Sequence, residues 1–124
     1  MTALVLVMLA GGVGAAARFV VDGTIGRFVS RGPFPLGIVV INIVGSFALG
    51  AVTGLASGSV LSAETARVLG LGFCGGFTTF STASLEAVKL WAEEGIGRAT
   101  AYTAVTVVGA VAAAWLGLAL TMAL

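Results

Sequence analysis

Residues 72–86, GFCGGFTTFSTASLE, decide how the rest of the chain is read. Two adjacent glycines, Gly75 and Gly76, sit in the middle of an uncharged run. Four hydroxyl residues follow closely: Thr78, Thr79, Ser81 and Thr82. Backbone that leaves helical form at membrane depth must be buried in protein or line a polar cavity. The glycine pair makes such a break inexpensive, because glycine tolerates left-handed geometry. A break frees carbonyls that can coordinate a small cation, and the hydroxyls add further donors or ligands. The competing reading is a kink held by Ser/Thr back-bonding to the preceding turn. The density of hydroxyls favours an ion site.

The flanks fix the solvent as lipid. The chain has 124 residues, 59% of them hydrophobic and 9% charged, with a mean hydropathy of +1.16. A soluble domain carries about 25% charged residues. Four uncharged stretches follow: 1–17, 36–56 (LGIVVINIVGSFALGAVTGLA), 68–85 and 99–124. Each reaches the roughly 20 residues of a spanning helix once its flanks are included. The expected fold is therefore an all-α membrane protein, one domain over 1–124, with four transmembrane helices and the third broken. Pro33 and Pro35 mark the start of the second helix. A cleaved leader at 1–17 is disfavoured because no basic residue precedes its apolar run.

Arg27, Arg31, Lys89 and Arg98 flank the first and third loops, against Arg67 alone in the second. This bias favours cytoplasmic first and third loops and both termini outside. Net charge is +1, which excludes a basic field for nucleic acid. Histidine is absent and cysteine occurs once, at Cys74, so the usual general base and metal ligand sets are missing. No nucleophile–base pair is visible, and an enzyme is not expected. Glycine occurs 19 times, often three or four residues apart, as at Gly50, Gly54 and Gly58 or near Gly11, Gly12 and Gly14. Small residues let membrane helices approach closely. Four short helices enclose little interior, so oligomerisation is expected.

Other polar residues join the break. Asn42 offers two N–H donors, or a plain interhelical bond. Arg18, near one end of the first helix, either snorkels or draws anions to a pore mouth. Glu86 closes the third span as an interfacial group or as an acceptor for a hydroxyl. Tyr102 and Thr106 lie four apart, on one face of the last helix. Phe73, Phe77 and Phe80 flank the break; a phenyl edge carries partial positive charge and can face an anion.

GGVGAAARF at 11–19, GIVVINIVGSFALG at 37–50 and GFCGGFTTFSTASLE at 72–86 resemble the CrcB/Fluc family of fluoride channels. The resemblance covers essentially the whole chain. It implies passive fluoride export across the cell membrane by an antiparallel, dual-topology dimer with a structural sodium ion (Na+) at its centre. Carbonyls of Gly75 and Thr78 would hold the sodium. Asn42, Phe80, Ser81, Thr82, Tyr102, Thr106, Arg18 and Glu86 match pore and anion-binding positions.

The sequence departs from the family pattern at Ala83, where a second phenylalanine is usual, and at Ile38, where threonine is frequent. On the fourth helix, Ala110 and Ala114 replace hydroxyls. These departures and the charge bias motivate a heterodimer with a sister chain as the alternative to a homodimer, including one in which this subunit does not itself conduct. A small multidrug-type antiporter is the rival of another class. It needs a carboxylate embedded in the first helix; residues 1–17 contain none, and Asp22 follows Arg18.

Overall fold

The computed structural model describes residues 1–29 and 32–124, and among these every regular element is helical. Arg31, part of the charge bias, lies outside the described residues. Helix α1 (Thr2–Phe28) and helix α2 (Leu36–Ser57) are the first two spans. The third span runs Ala63–Glu94 in four pieces. These are α3 (Ala63–Arg67), a π-helical stretch (Val68–Cys74), α4 (Gly75–Phe77) and α5 (Ser81–Glu94). Helix α6 (Ile96–Met122) is the fourth span. At 1.5 Å per residue, even the 22 residues of α2 reach about 33 Å, enough for the hydrocarbon core.

Two boundaries differ from expectation. Helix α1 continues ten residues past Arg18, which therefore sits in its interior and not near an end. No proline or glycine turn interrupts 19–28, so the charges at Arg18 and Asp22 did not stop the helix. Asp22 is consequently inside the first span, contrary to the expectation that the first helix embeds no carboxylate; its carboxylate lies against the backbone of Gly37 at the start of α2.

The break is also displaced. Gly75 is helical, with φ −63° and ψ −38°, and the only positive-φ glycine among the described residues is Gly95. The chain leaves the helix three residues later, where Thr78 turns extended at ψ 159°. The glycine pair thus does not make the break by left-handed geometry. Gly76 serves close approach: a Cβ there would overlap the Gly11 carbonyl of α1. Gly95, at φ 97°, does need its conformational freedom. It reverses the chain between α5 and α6 in a single residue.

Small residues build two seams. Between α1 and the third span, added Cβ atoms at Gly14, Gly72 and Gly76 would strike Phe73, Val7 and Gly11 respectively. Between α2 and α6, those at Gly50, Gly54 and Gly117 would strike Ala114, Thr121 and Phe47. Gly58 ends α2 and belongs to neither seam, and Gly12 faces open space. Without a hydrophobic drive between helices in lipid, such close contact is the main source of cohesion. The buried core is correspondingly small. One cluster joins Ile38, Ile41 and Phe77, and another joins Val39, Leu90, Ala99 and Tyr102. Large apolar side chains such as Phe19, Leu71 and Trp115 point outward.

Candidate functional site

The site grows from the two residues that leave the helix. In a continuous helix the Thr79 N–H would close onto the Gly75 carbonyl. Here it donates instead to Asn42 Oδ1 at 2.9 Å, and Asn42 Nδ2 donates to the Thr79 carbonyl at 3.1 Å. One amide side chain on α2 therefore satisfies both backbone groups of Thr79. Arg18 Nη1 donates to the Thr78 carbonyl at 3.4 Å. Thr79 Oγ1 accepts from the Thr82 N–H at 3.1 Å, which caps the start of α5. The Thr79 and Ser81 hydroxyls approach at 3.5 Å.

A groove of about 610 Å³ opens beside this clamp. Asn42, Thr78, Phe80, Tyr102 and Thr106 line it. Sequence reasoning did not assign Thr79, Ser46, Ser84 or Thr103 to it. Thr79 was visible as one of four clustered hydroxyls, and Thr103 and Ser84 carried no distinguishing signal. The remaining expected residues lie elsewhere. Ser81 and Thr82 start α5 outside the lining, Arg18 sits behind Thr78, and Glu86 pairs with Lys89 at 3.4 Å instead of accepting from a hydroxyl. That pair is the ordinary (i, i+3) contact of a helix face.

Hydrogen-bond direction sorts the groove's polar groups. Thr106 Oγ1 donates to the Tyr102 carbonyl at 2.8 Å, and Thr78 Oγ1 to the Cys74 carbonyl at 2.9 Å. Ser84 and Thr103 likewise donate back to their own helices. These hydroxyls turn lone pairs, not protons, toward the groove. Tyr102 differs: its side chain is 1% exposed and its hydroxyl has no partner among the described residues. Phe34 packs edge-on against its ring at 5.7 Å. Asn42 is 8% exposed, and its second Nδ2 proton has no acceptor among the described residues. Among the groove's described polar groups, the donors without an acceptor are thus the Tyr102 hydroxyl, the Ser46 hydroxyl and one Asn42 N–H. Phe80, beside them, is 87% exposed.

The described residues hold no cluster of His, Cys, Asp or Glu able to bind a metal. Backbone carbonyls remain. Gly75 has lost its helical donor to Asn42, and the Thr78 oxygen keeps one lone pair beyond its long contact to Arg18. Both fit a cation site made of main chain.

A four-span helical membrane protein whose third helix breaks beside a donor-lined groove is the class that this geometry defines. Residues 5–118 match the family described as CrcB-like protein, Camphor Resistance (CrcB). The chain belongs to that family, and is a multi-pass protein of the plasma membrane. A relative from Leifsonia xyli, named fluoride-specific ion channel FluC 1, is 56% identical over 94 residues, covering 73% of this chain and 66% of its own length. One from Mycolicibacterium paratuberculosis, fluoride-specific ion channel FluC 2, is 48% identical over 111 residues, 90% of this chain and 87% of that one. A third, FluC 2 of Rhodococcus jostii, is 41% identical over 119 residues, 95% and 97% of the two chains. These relatives carry the names of channels, not of enzymes.

Proposed function

We propose that the chain is a subunit of a fluoride channel that lets the ion leave the cytoplasm passively. The observation that carries this reading is the groove, with unpartnered donors at Asn42, Ser46 and Tyr102 and an exposed phenylalanine, in a chain whose relatives are named for fluoride. Fluoride is small and strongly hydrated, so it leaves water only where donors replace its shell. The Asn42 N–H and the Tyr102 hydroxyl are such donors, and phenyl edges add weak attraction that permits exit.

The groove is open along one side, and Phe80 projects from it. A second chain closes it, in the proposed assembly an antiparallel partner. Sodium held by the Gly75 and Thr78 carbonyls of both chains would supply a fixed positive charge that offsets part of the anion's desolvation. Of the four departures from the family pattern, Ala83 and Ala110 line the groove. Ile38 is buried in the core and Ala114 meets Gly50 in a helix seam. The case for a sister chain therefore rests on Ala83 and Ala110 together with the Lys/Arg bias of the loops. Relatives numbered 1 and 2 are consistent with organisms carrying more than one such chain.

Growth of a fluoride-sensitive bacterium tests the function. Expression of this chain, alone or with a sister chain, restores growth in fluoride; failure of every combination with membrane-inserted protein present overturns it. Tyr102→Phe removes an unpaired buried hydroxyl, so melting temperature is expected to stay level or rise. Fluoride flux should fall about tenfold or more, the loss of one donor to a charged acceptor. Thr106→Val, whose proton never faced the groove, should cost less than about threefold, by the same reasoning on donors. Equal losses in both variants would remove the donor assignment. Sodium has its own readout: dimer content in detergent should fall when a large organic cation replaces it, and Thr78→Ser, which keeps the carbonyl, should behave as the parent.

A further inference from the structure

Arg18 and Asn42 meet the break from opposite sides, on α1 and α2, and a single peptide unit lies between them. Arg18 Nη1 donates to the Thr78 carbonyl at 3.4 Å. The N–H of that same peptide belongs to Thr79, and it donates to Asn42 Oδ1 at 2.9 Å. Asn42 Nδ2 then carries one proton to the Thr79 carbonyl at 3.1 Å, and its other proton has no acceptor among the described residues in a side chain that lines the groove. Every link runs donor to acceptor in one direction. The orientation of the Asn42 amide is fixed by chemistry, since a backbone N–H can meet only its oxygen and a backbone carbonyl only its nitrogen.

We infer that Arg18 is a positioning residue that acts on the anion path through this chain of bonds, polarising the Thr78–Thr79 peptide and, through it, the Asn42 amide. The inference rests on the fluoride-channel reading, in which Asn42 donates to the ion. Hydrogen bonds in series strengthen one another by about 10–30% per link in a low-dielectric surrounding. A guanidinium at the head of the series cannot lose its charge. Among the described residues no acidic side chain pairs with it: the two ion pairs are Lys89–Glu86 and Arg98–Glu94. Asp22, one turn further along α1, turns its carboxylate to Gly37. The charge of Arg18 is therefore directed at one carbonyl. Arg18 is absent from the groove lining and reaches the Thr78 carbonyl instead; its assigned role is to sharpen the donor that faces the ion.

A direct field from Arg18 on the ion is the rival explanation, and the two separate at Asn42. Asn42 is the only asparagine in the sequence, so 15N-asparagine labelling gives one side-chain NH2 signal without assignment. The comparison is made in fluoride-free nanodiscs for the parent, Arg18→Lys and Arg18→Gln. The Asn42 side-chain protons are expected to move upfield in Arg18→Gln and to stay near the parent in Arg18→Lys. Fluoride efflux should fall about twofold to fourfold in Arg18→Gln, the share that a cooperative strengthening of roughly 10–30% adds to a hydrogen bond on a charged acceptor, and recover largely in Arg18→Lys. Should Arg18→Gln fail to assemble, Arg18→Met replaces it in the same comparison. Asn42 signals identical in the parent and the neutral variant would overturn the inference, whatever the flux. A parent that passes no fluoride would fail the channel reading alone, because the resonance comparison needs no ion.

Discussion

Asn42→Asp is expected to stop fluoride flux and to loosen the third span together. The side chain at 42 both accepts from the Thr79 N–H and donates to the Thr79 carbonyl. Aspartate keeps the first bond and turns the second into two oxygens facing each other. The Thr79 carbonyl, buried at this depth, loses its partner at a cost of about 1–3 kcal/mol. The carboxylate adds the desolvation of a charge and places an anion where an anion must pass. Flux should fall below detection, and the melting temperature in detergent should drop by several degrees, as follows from a few kcal/mol on a chain of this size. Asn42→Ser, which removes the clamp without adding charge, should show the stability loss with only partial loss of flux. Unchanged flux in a folded Asn42→Asp protein would return Asn42 to a packing role.

The second large effect lies on the glycine seam. Gly76→Ala places a methyl against the Gly11 carbonyl, where backbone, not a flexible side chain, must yield. Overpacking of that kind costs about 1–3 kcal/mol, and a dimer carries the cost twice. Gly75→Ala has nothing nearer than the Gly70 carbonyl at 3.8 Å and should leave the fold of the single chain intact. The two neighbours therefore predict opposite results on the monomer's melting temperature. If Gly75 alone proves sensitive, and only in dimer content, its side faces the partner and not α1. Equal damage from both would point back to a glycine requirement of the backbone itself.

Much of this architecture was legible in the sequence, for reasons of solvent. Uncharged stretches of about 20 residues have few alternatives to spanning helices, and the hydroxyl-rich run after Gly75-Gly76 announced a departure from helix within a few residues of its place. The offset has a physical cause. Glycine marks both tight turns and close helix contacts, and the sequence does not distinguish them; here contact with Gly11 is the reason for Gly76, and the break falls on Thr78 and Thr79, which Arg18 and Asn42 hold open. The extent of α1 is not legible in the sequence because a charge ordinarily marks the end of a span, whereas an arginine with a carbonyl acceptor sits inside it. The π-helical stretch at Val68–Cys74 left no trace in residue pattern. Nor could spacing reveal which hydroxyls turn inward. Thr106 and Tyr102 share a face, yet one spends its proton on its own helix and the other does not.

The most direct measurement is ion efflux from liposomes that contain the purified chain, alone and with a sister chain, loaded with fluoride in one set and chloride in the other. Fluoride should leave rapidly and without proton exchange, chloride should be retained, and Phe80→Ile should slow fluoride while dimer content holds. Equal release of both anions, or release only in exchange for protons, would contradict the account.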